Sequence, residues 1–338
     1  MMRMKDRFSN PAVISLILII VTTVLRLFIA GGTGLGIGEA YYFRGAMDLK
    51  LSYFDQPPLF FWLGGLTVRL LGVSAFALRL HAVLLFAGTS WLMFVVGKRL
   101  FNGWAGFFAV LIMNISFIFT VPMATWFQPD SSLVFFWMLC VYFLVELLFP
   151  VNAPDLKSFR KSGRAYLLWI LAGISLGLTT LSKYHAIFLL AGVFLFTIFN
   201  KEHRHWLRHP GPYMAVVINF IIAIPVLVWN AENNWVSFVF QGSRAGSNEG
   251  FTLHFDWFLR GIAGQAVWLA PWIWVPLLVV LIRSFNLGKK VPVHSFCFWT
   301  AVLPIVVFTL IPLWADTGYL LFRHWVKHWI LFAHSGKA

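Results

Sequence analysis

Residues 165–200, AYLLWILAGISLGLTTLSKYHAIFLLAGVFLFTIFN, decide the fold class. Two apolar runs, 165–182 and 185–200, flank a short polar break at Lys183, Tyr184 and His185. A helix rises 1.5 Å per residue, so a run near 20 residues crosses a hydrocarbon core about 30 Å thick. Backbone polar groups find no water there, which leaves helices and closed barrels as the spanning structures. These runs are continuous rather than alternating, so they read as helices. A lysine between two such runs marks a turn at the membrane surface, one helix leaving and the next returning.

The same reading extends in both directions. It predicts membrane helices near 11–30, 76–96, 103–121, 131–149, 165–182, 185–200, 212–229, 258–282 and 293–313, with one further helix or none after Gly318. The stretch Leu59 to Leu71 is too short to span and is expected at the interface or partway in. Composition agrees: 60% of the chain is hydrophobic and 11% charged, against about 25% charged in soluble domains. The expectation is an all-α integral membrane bundle of about nine or ten helices, forming one domain over residues 1–338. The first run follows Arg3, Lys5 and Arg7 and includes Arg26, which reads as an uncleaved anchor rather than a signal peptide. Ending at Ala338, the chain reads as a short variant or a truncated reading frame.

Charge sets the orientation. Of the 26 Lys and Arg residues, fifteen fall in alternate connections, including Lys98, Arg99, Arg160, Arg164, Lys201, Arg204 and Arg208. By the positive-inside rule that face is cytoplasmic, as is the N-terminus. Eight of the twelve acids fall on or near the other side: Glu39, Asp48, Asp55, Asp130, Glu232, Glu249, Asp256 and Asp316. Acids contribute little to topology, so their bias suggests a chemical site on the outer face, or simple tolerance of acids in outer loops. The net charge of +14 is scattered at the ends of apolar runs rather than gathered into a basic stripe, which argues against nucleic acid. Cys140 and Cys297 read as small core residues. His203, His205 and His209 read as part of a solvated basic loop, with metal chelation the alternative. Arg26 is expected to face the bundle interior and pair with an acid, or to reach outward to water.

The long loop from Gly31 to Pro58 opens on GGTGLGIG and then carries Ala40, Phe43, Met47 and Leu51 at helical spacing, so a short interfacial helix is expected over Glu39–Leu51. Four segments carry chemistry. The first is Gly38-Glu39-Ala40-Tyr41-Tyr42 with Tyr53-Phe54-Asp55-Gln56-Pro57-Pro58. The second is Gln128-Pro129-Asp130-Ser131 at the outer start of a helix. The third is Ser182-Lys183-Tyr184, and the fourth is Trp229-Asn230 leading to Trp235 and Phe238. Lysine at a helix end either snorkels to water or meets an anion. The tryptophans also fit an aromatic belt, which is the favoured reading for each taken singly.

In order and spacing these segments resemble the bacterial polyprenyl-phosphate-sugar transferases of the GT-C superfamily, a group related to the protein O-mannosyltransferases, the lipid A aminoarabinose transferase and the galacturonosyl transferases of lipopolysaccharide core. The resemblance covers roughly residues 20 to 245. It implies a GT-C-like bundle with an outward-facing cavity closed by interfacial helices of the first loop. It also implies an inverting glycosyltransferase. The donor is a polyprenyl-phosphate sugar, and the acceptor is a lipid, glycan or protein at the periplasmic face of a bacterial inner membrane. Glu39, Asp55 and Asp130 are the candidates to take the acceptor proton. Arg44, Tyr42, Gln56, Lys183, Tyr184, Asn230 and His324 are the candidates to bind substrate, with Lys183 and Arg44 facing the departing phosphate. The family places its catalytic aspartate where this chain has Gly38, and histidine where it has Gln56. That departure keeps a catalytically inactive relative in view, alongside a transporter or flippase for lipid-linked sugar. Transporters show internal repeats and paired broken helices, and neither is evident. A carboxylate pair can hold Mg²⁺ or Mn²⁺, but no ligand spacing requires a metal.

Overall fold

The computed structural model describes residues 10–151, 155–245 and 253–313. Among them fourteen α-helices run in chain order: α1 Pro11–Gly32, α2 Ile37–Met47, α3 Leu59–Leu71, α4 Ala75–Leu100, α5 Gly103–Ile115, α6 Asp130–Leu148, α7 Leu156–Lys161, α8 Gly163–Ser182, α9 Ala186–Phe199, α10 Pro210–Glu232, α11 Val236–Ala245, α12 Phe255–Leu269, α13 Pro271–Gly288 and α14 Pro292–Leu310. Seven spans are long and apolar enough to cross a membrane, and the chain is a multi-pass membrane protein. The helices α3, α5 and α9 are apolar but shorter.

Three predicted spans change shape. The run expected over 103–121 stops as an α-helix at Ile115 and resumes as a π-helical turn, Phe119–Met123, containing Pro122. The run expected over 258–282 is two helices, α12 and α13. They break at Ala270, which has φ +67° and precedes Pro271. Proline lacks an N–H and disfavours helix in the residue before it, so hydropathy alone misses this corner. The run expected over 185–200 is a helix of 14 residues, too short to span unaided. In the first loop, the helix expected at Glu39–Leu51 is α2, which ends at Met47 with Asp48 as its cap.

The centre of the bundle is α8, which packs along α6 on one side and α10 on the other. Lipid is as apolar as leucine, so close van der Waals packing rather than the hydrophobic effect joins such helices. Gly173 and Gly177, one turn apart on α8, supply it. A Cβ on Gly173 would lie 2.8 Å from the Ala215 backbone, and one on Gly177 2.7 Å from Ile222 Cβ. Ser162 caps the start of α8 by accepting from Ala165 N, and the helix stops at Lys183, whose backbone is extended.

Arg26 faces the interior, as one of its two expected placements had it, but its partner is an amide rather than an acid. Its Nη2 donates to Asn114 Oδ1 at 2.9 Å, and its guanidinium lies 4.7 Å from the Phe86 ring. At the Lys- and Arg-rich end, Arg99 and Arg164 share Glu146. His203 is not solvated. It is buried, with Nε2 against Leu148 O and Nδ1 against Asn200 Oδ1, each at 3.0 Å. Cys140 and Cys297 are free thiols.

Candidate active site

The opposite end of the bundle holds two of the predicted carboxylates, Glu39 and Asp130, each paired with a cation. The first is built on α2. Glu39 occupies the third position of that helix, and its carboxylate accepts from Gly36 N at 2.9 Å in the capping arrangement expected there. Arg79, one turn into α4, grips the same carboxylate with two nitrogens, Nε to Oε1 at 2.7 Å and Nη2 to Oε2. Phe127 N completes the set at 2.8 Å from Oε1. Glu39 is 3% exposed and Arg79 2%. Burial pushes the Glu39 carboxyl up, but the bonds from Arg79, Phe127 and Gly36 outweigh it, and the net direction is down. The remaining Arg79 donors hold Ala30 O, Thr33 O, Thr33 Oγ1 and Gly34 O at 2.8–3.1 Å. The Arg79–Glu39 pair thus ties the glycine-rich loop, α2 and the segment leading into α6 together.

Arg79 is the residue that the sequence reading missed. A cation within an apolar span marks function by default, and that signal was present in LRLHAV, residues 78–83. It is hidden there by the strongly apolar average of the run.

The second pair is Asp130 with Lys183, at 2.9 Å. Asp130 sits in the first turn of α6, where the helix dipole favours a carboxylate. Lys183 sits at the turn from α8 to α9. Their side chains are 19% and 22% exposed, so this pair is open where the Glu39–Arg79 pair is sealed. A lysine ammonium has three donors, and Asp130 Oδ1 is the acceptor that Lys183 meets among the described side chains.

Tyr42 has Gln56 as a hydrogen-bond partner and lies within electrostatic reach of Asp55 and of Asp130 in this second pair. Burial raises the Tyr42 phenol, Asp55 and Asp130 push it further up, and Gln56 opposes them. Burial likewise raises the Tyr184 phenol against the opposing influence of Ser237, Ser52 and Asn230, with Asp55 again adding to the rise. Asp55 thus lies within electrostatic reach of Tyr42 and Tyr184, and of Tyr41 as well. Its segment is held from outside: Ser237 Oγ donates to Tyr53 O at 2.8 Å, and Gln241 Nε2 to Asp55 O at 2.7 Å. That docks α11 over the 53–55 stretch.

Asn230 is wholly buried in the corner from α10 to α11. It donates to Val226 O at 3.0 Å and accepts from Ser237 N at 3.2 Å, while its carbonyl accepts from Trp235 N at 2.7 Å. Asn234 and Trp235 there have φ +54° and +57°. A bulky residue seldom adopts that conformation, and the surrounding bonds hold it. Arg44 is exposed on α2. His324 lies outside the described residues. Gly38 is exposed on α2, one turn before Tyr42, and a Cβ built there meets nothing within 4 Å. Among the described residues, no three His, Cys, Asp or Glu side chains converge in a way that could hold a metal ion.

The sequence model of the family described as dolichyl-phosphate-mannose-protein mannosyltransferase matches residues 55–229, a stretch holding Asp55, Gln56, Asp130, Lys183 and Tyr184. The chain is 22% identical over 323 residues to lipid A galacturonosyltransferase RgtD of Rhizobium johnstonii, covering 86% of this chain and 61% of the relative. It is 23% identical over 290 residues to undecaprenyl phosphate-alpha-4-amino-4-deoxy-L-arabinose arabinosyl transferase 2 of Pseudomonas fluorescens, covering 84% and 46%. Its fold is that of ArnT from Cupriavidus metallidurans, with a TM-score of 0.64 to the apo form at 15% identity, over 88% of this chain and 57% of that one. The form bound to undecaprenyl phosphate gives a TM-score of 0.60 at 16% identity. The chain therefore spans about half to three fifths of the length of the relatives it matches.

Proposed function

The chain belongs to the dolichyl-phosphate-mannose-protein mannosyltransferase family, and on that premise we propose that it transfers a sugar from a polyprenyl-phosphate donor to a lipid A-type, glycan or protein acceptor. The half-open Asp130–Lys183 pair beside Asp55 and Tyr42 carries this reading. In the reaction an acceptor oxygen forms a bond to the anomeric carbon with inversion, and the bond from that carbon to the phosphate oxygen breaks. The acceptor proton passes to a carboxylate and the polyprenyl phosphate departs with the bonding electrons.

Asp55 takes the proton in this scheme. Asp55 and Asp130 both lie within electrostatic reach of Tyr42, and a positioned base contributes about 10²–10⁴-fold. Lys183 meets the developing negative charge on the phosphate, where a preorganised cation has its greatest effect. Asp130 holds the ammonium in place until the donor arrives. Tyr42, Gln56 and Tyr184 line the approach. Glu39, whose carboxylate already accepts four hydrogen bonds, positions rather than reacts in this scheme. Asn230 likewise braces the corner over Asp55. Arg44, exposed on α2, meets the acceptor or the lipid surface. The protein lies in a bacterial inner membrane with its N-terminus cytoplasmic and this site periplasmic, as the cation bias of the opposite end supports.

The test gives membranes containing the chain a radiolabelled undecaprenyl-phosphate sugar and follows label into acceptor. Wild type transfers label, while Asp55→Asn and Lys183→Met do not at comparable abundance. Transfer that persists undiminished in both variants would refute the scheme. Absence of transfer in wild type with every donor tried would favour an inactive relative.

A further inference from the structure

At the end of the bundle away from Asp130 and Lys183, α9 leans away from α10 and toward α14. This leaves a cleft between α9 and α10, floored by α6 and α8. Its volume is about 120 Å³, roughly ten times what one water needs on the same measure, so it is more than a packing defect. Leu144 and Trp169 form the floor, Leu190, Val193 and Val216 line the walls, and Trp206 closes the end. Phe194 and Tyr213 at the mouth are 55% and 58% exposed, which opens the cleft sideways toward the lipid.

The mouth is basic. The 3₁₀ turn Arg204–Arg208 crosses the closed end, and Lys201, Arg204 and Arg208 on it or beside it are exposed. Next to them lies α7, with Lys157, Arg160 and Lys161, tied on by His209 Nε2 against Arg160 O at 3.0 Å. Glu202 and Asp155 are the acids of these two segments. An apolar slot of acyl-chain character ending at a cluster of cations matches one ligand chemistry, a chain with an anionic head. A polyprenyl phosphate bound at Lys183 does not supply that head here, because the 20 residues of α8 separate the two ends by about 30 Å.

We propose that this cleft binds an anionic phospholipid of the leaflet at that end, one acyl chain lying between α9 and α10 and the headgroup phosphate among Lys201, Arg204 and Arg208. Anionic lipids attract each nearby Lys or Arg by about 1 kcal/mol, which is about fivefold in affinity per cation.

Native mass spectrometry of the detergent-purified full chain, titrated with phosphatidylglycerol or phosphatidylcholine, tests this. The wild type is expected to retain phosphatidylglycerol preferentially. Lys201→Gln with Arg208→Gln, both on exposed side chains, lowers phosphatidylglycerol retention by about tenfold or more and leaves phosphatidylcholine unchanged. Val193→Trp, which fills the wall, lowers retention of both, with an unchanged melting temperature as the folding control. Equal retention of phosphatidylglycerol in wild type and both variants would overturn the proposal. So would retention that Val193→Trp abolishes but the charge variant leaves intact, since the occupant would then be an uncharged chain.

Discussion

Glu39–Arg79 and Asp130–Lys183 are both carboxylate–cation pairs, yet their surroundings differ sharply. In the first, carboxylate and guanidinium are 3% and 2% exposed and are satisfied by each other and by backbone. In the second, both side chains are about one-fifth exposed and the lysine is linked to one carboxylate oxygen. A sealed, saturated pair has no bonding capacity left for a substrate and serves to fix geometry. An open pair with spare donors at a helix end can receive one. Arginine suits the first role because its planar fork engages several acceptors at once. Lysine suits the second as a compact charge on a flexible stem.

Substitutions can break this contrast. Arg79→Ala leaves a buried carboxylate unpaired, and such losses cost about 3–5 kcal/mol. Denaturation in detergent should show that loss, and transfer should fall with it because Phe127 and the segment into α6 lose their anchor. Lys183→Met, which also removes one cation, should cost about 1 kcal/mol or less while transfer drops by about 10²-fold or more. Equal destabilisation by both variants would erase the distinction.

Glu39→Gln keeps the shape and removes the charge, so it should destabilise by about 1.5–3 kcal/mol, the range for hydrogen bonds to charged groups. The transfer that survives should keep its wild-type pH profile, because Glu39 positions and does not titrate in the reaction. A shifted profile would return Glu39 to the chemistry.

Acidification sharpens the same contrast. The folded-state pKa of Glu39 lies below its ordinary value of 4.5. Its stabilising contribution is therefore complete above that value and is lost as pH falls below it, through the depressed folded value. Melting temperature should drop over that acid range in wild type and less in Glu39→Gln. Equal slopes would show that the clamp does not titrate as described.

Gly38→Asp should have the smallest effect on stability. The position is open and lies in the first turn of α2, so an acid there gains about 0.3–1 kcal/mol from the helix dipole. Placed one turn before Tyr42, the new carboxylate should also recover part of the transfer lost in Asp55→Asn. Failure of that rescue would mean that position 38 does not face the reacting atoms.

The Asp130–Lys183 meeting was foreshadowed by where the two residues fall, at the same-side ends of consecutive runs, and the runs themselves follow from hydropathy. Glu39 was read as reactive because its motif resembles that of the sugar transferases, and a local motif offers no hint of a residue's partner. That partner is Arg79, 40 residues on and buried in the next long helix. Asn230 was read as a substrate-binding candidate because an amide gives direction to a hydrogen bond. An amide after a tryptophan does not disclose that its own turn consumes its bonds.

Sequence by itself determined that this chain lives in lipid as helices, which end holds the cations and which holds the acids. Those properties depend on run length and charge count, and both are local. Only the tertiary structure decided which acid is sealed and which is open, and where α9 parts from α10 to leave a basic-rimmed cleft. Burial and pairing depend on neighbours brought from distant parts of the chain, and no one-dimensional pattern encodes their distances.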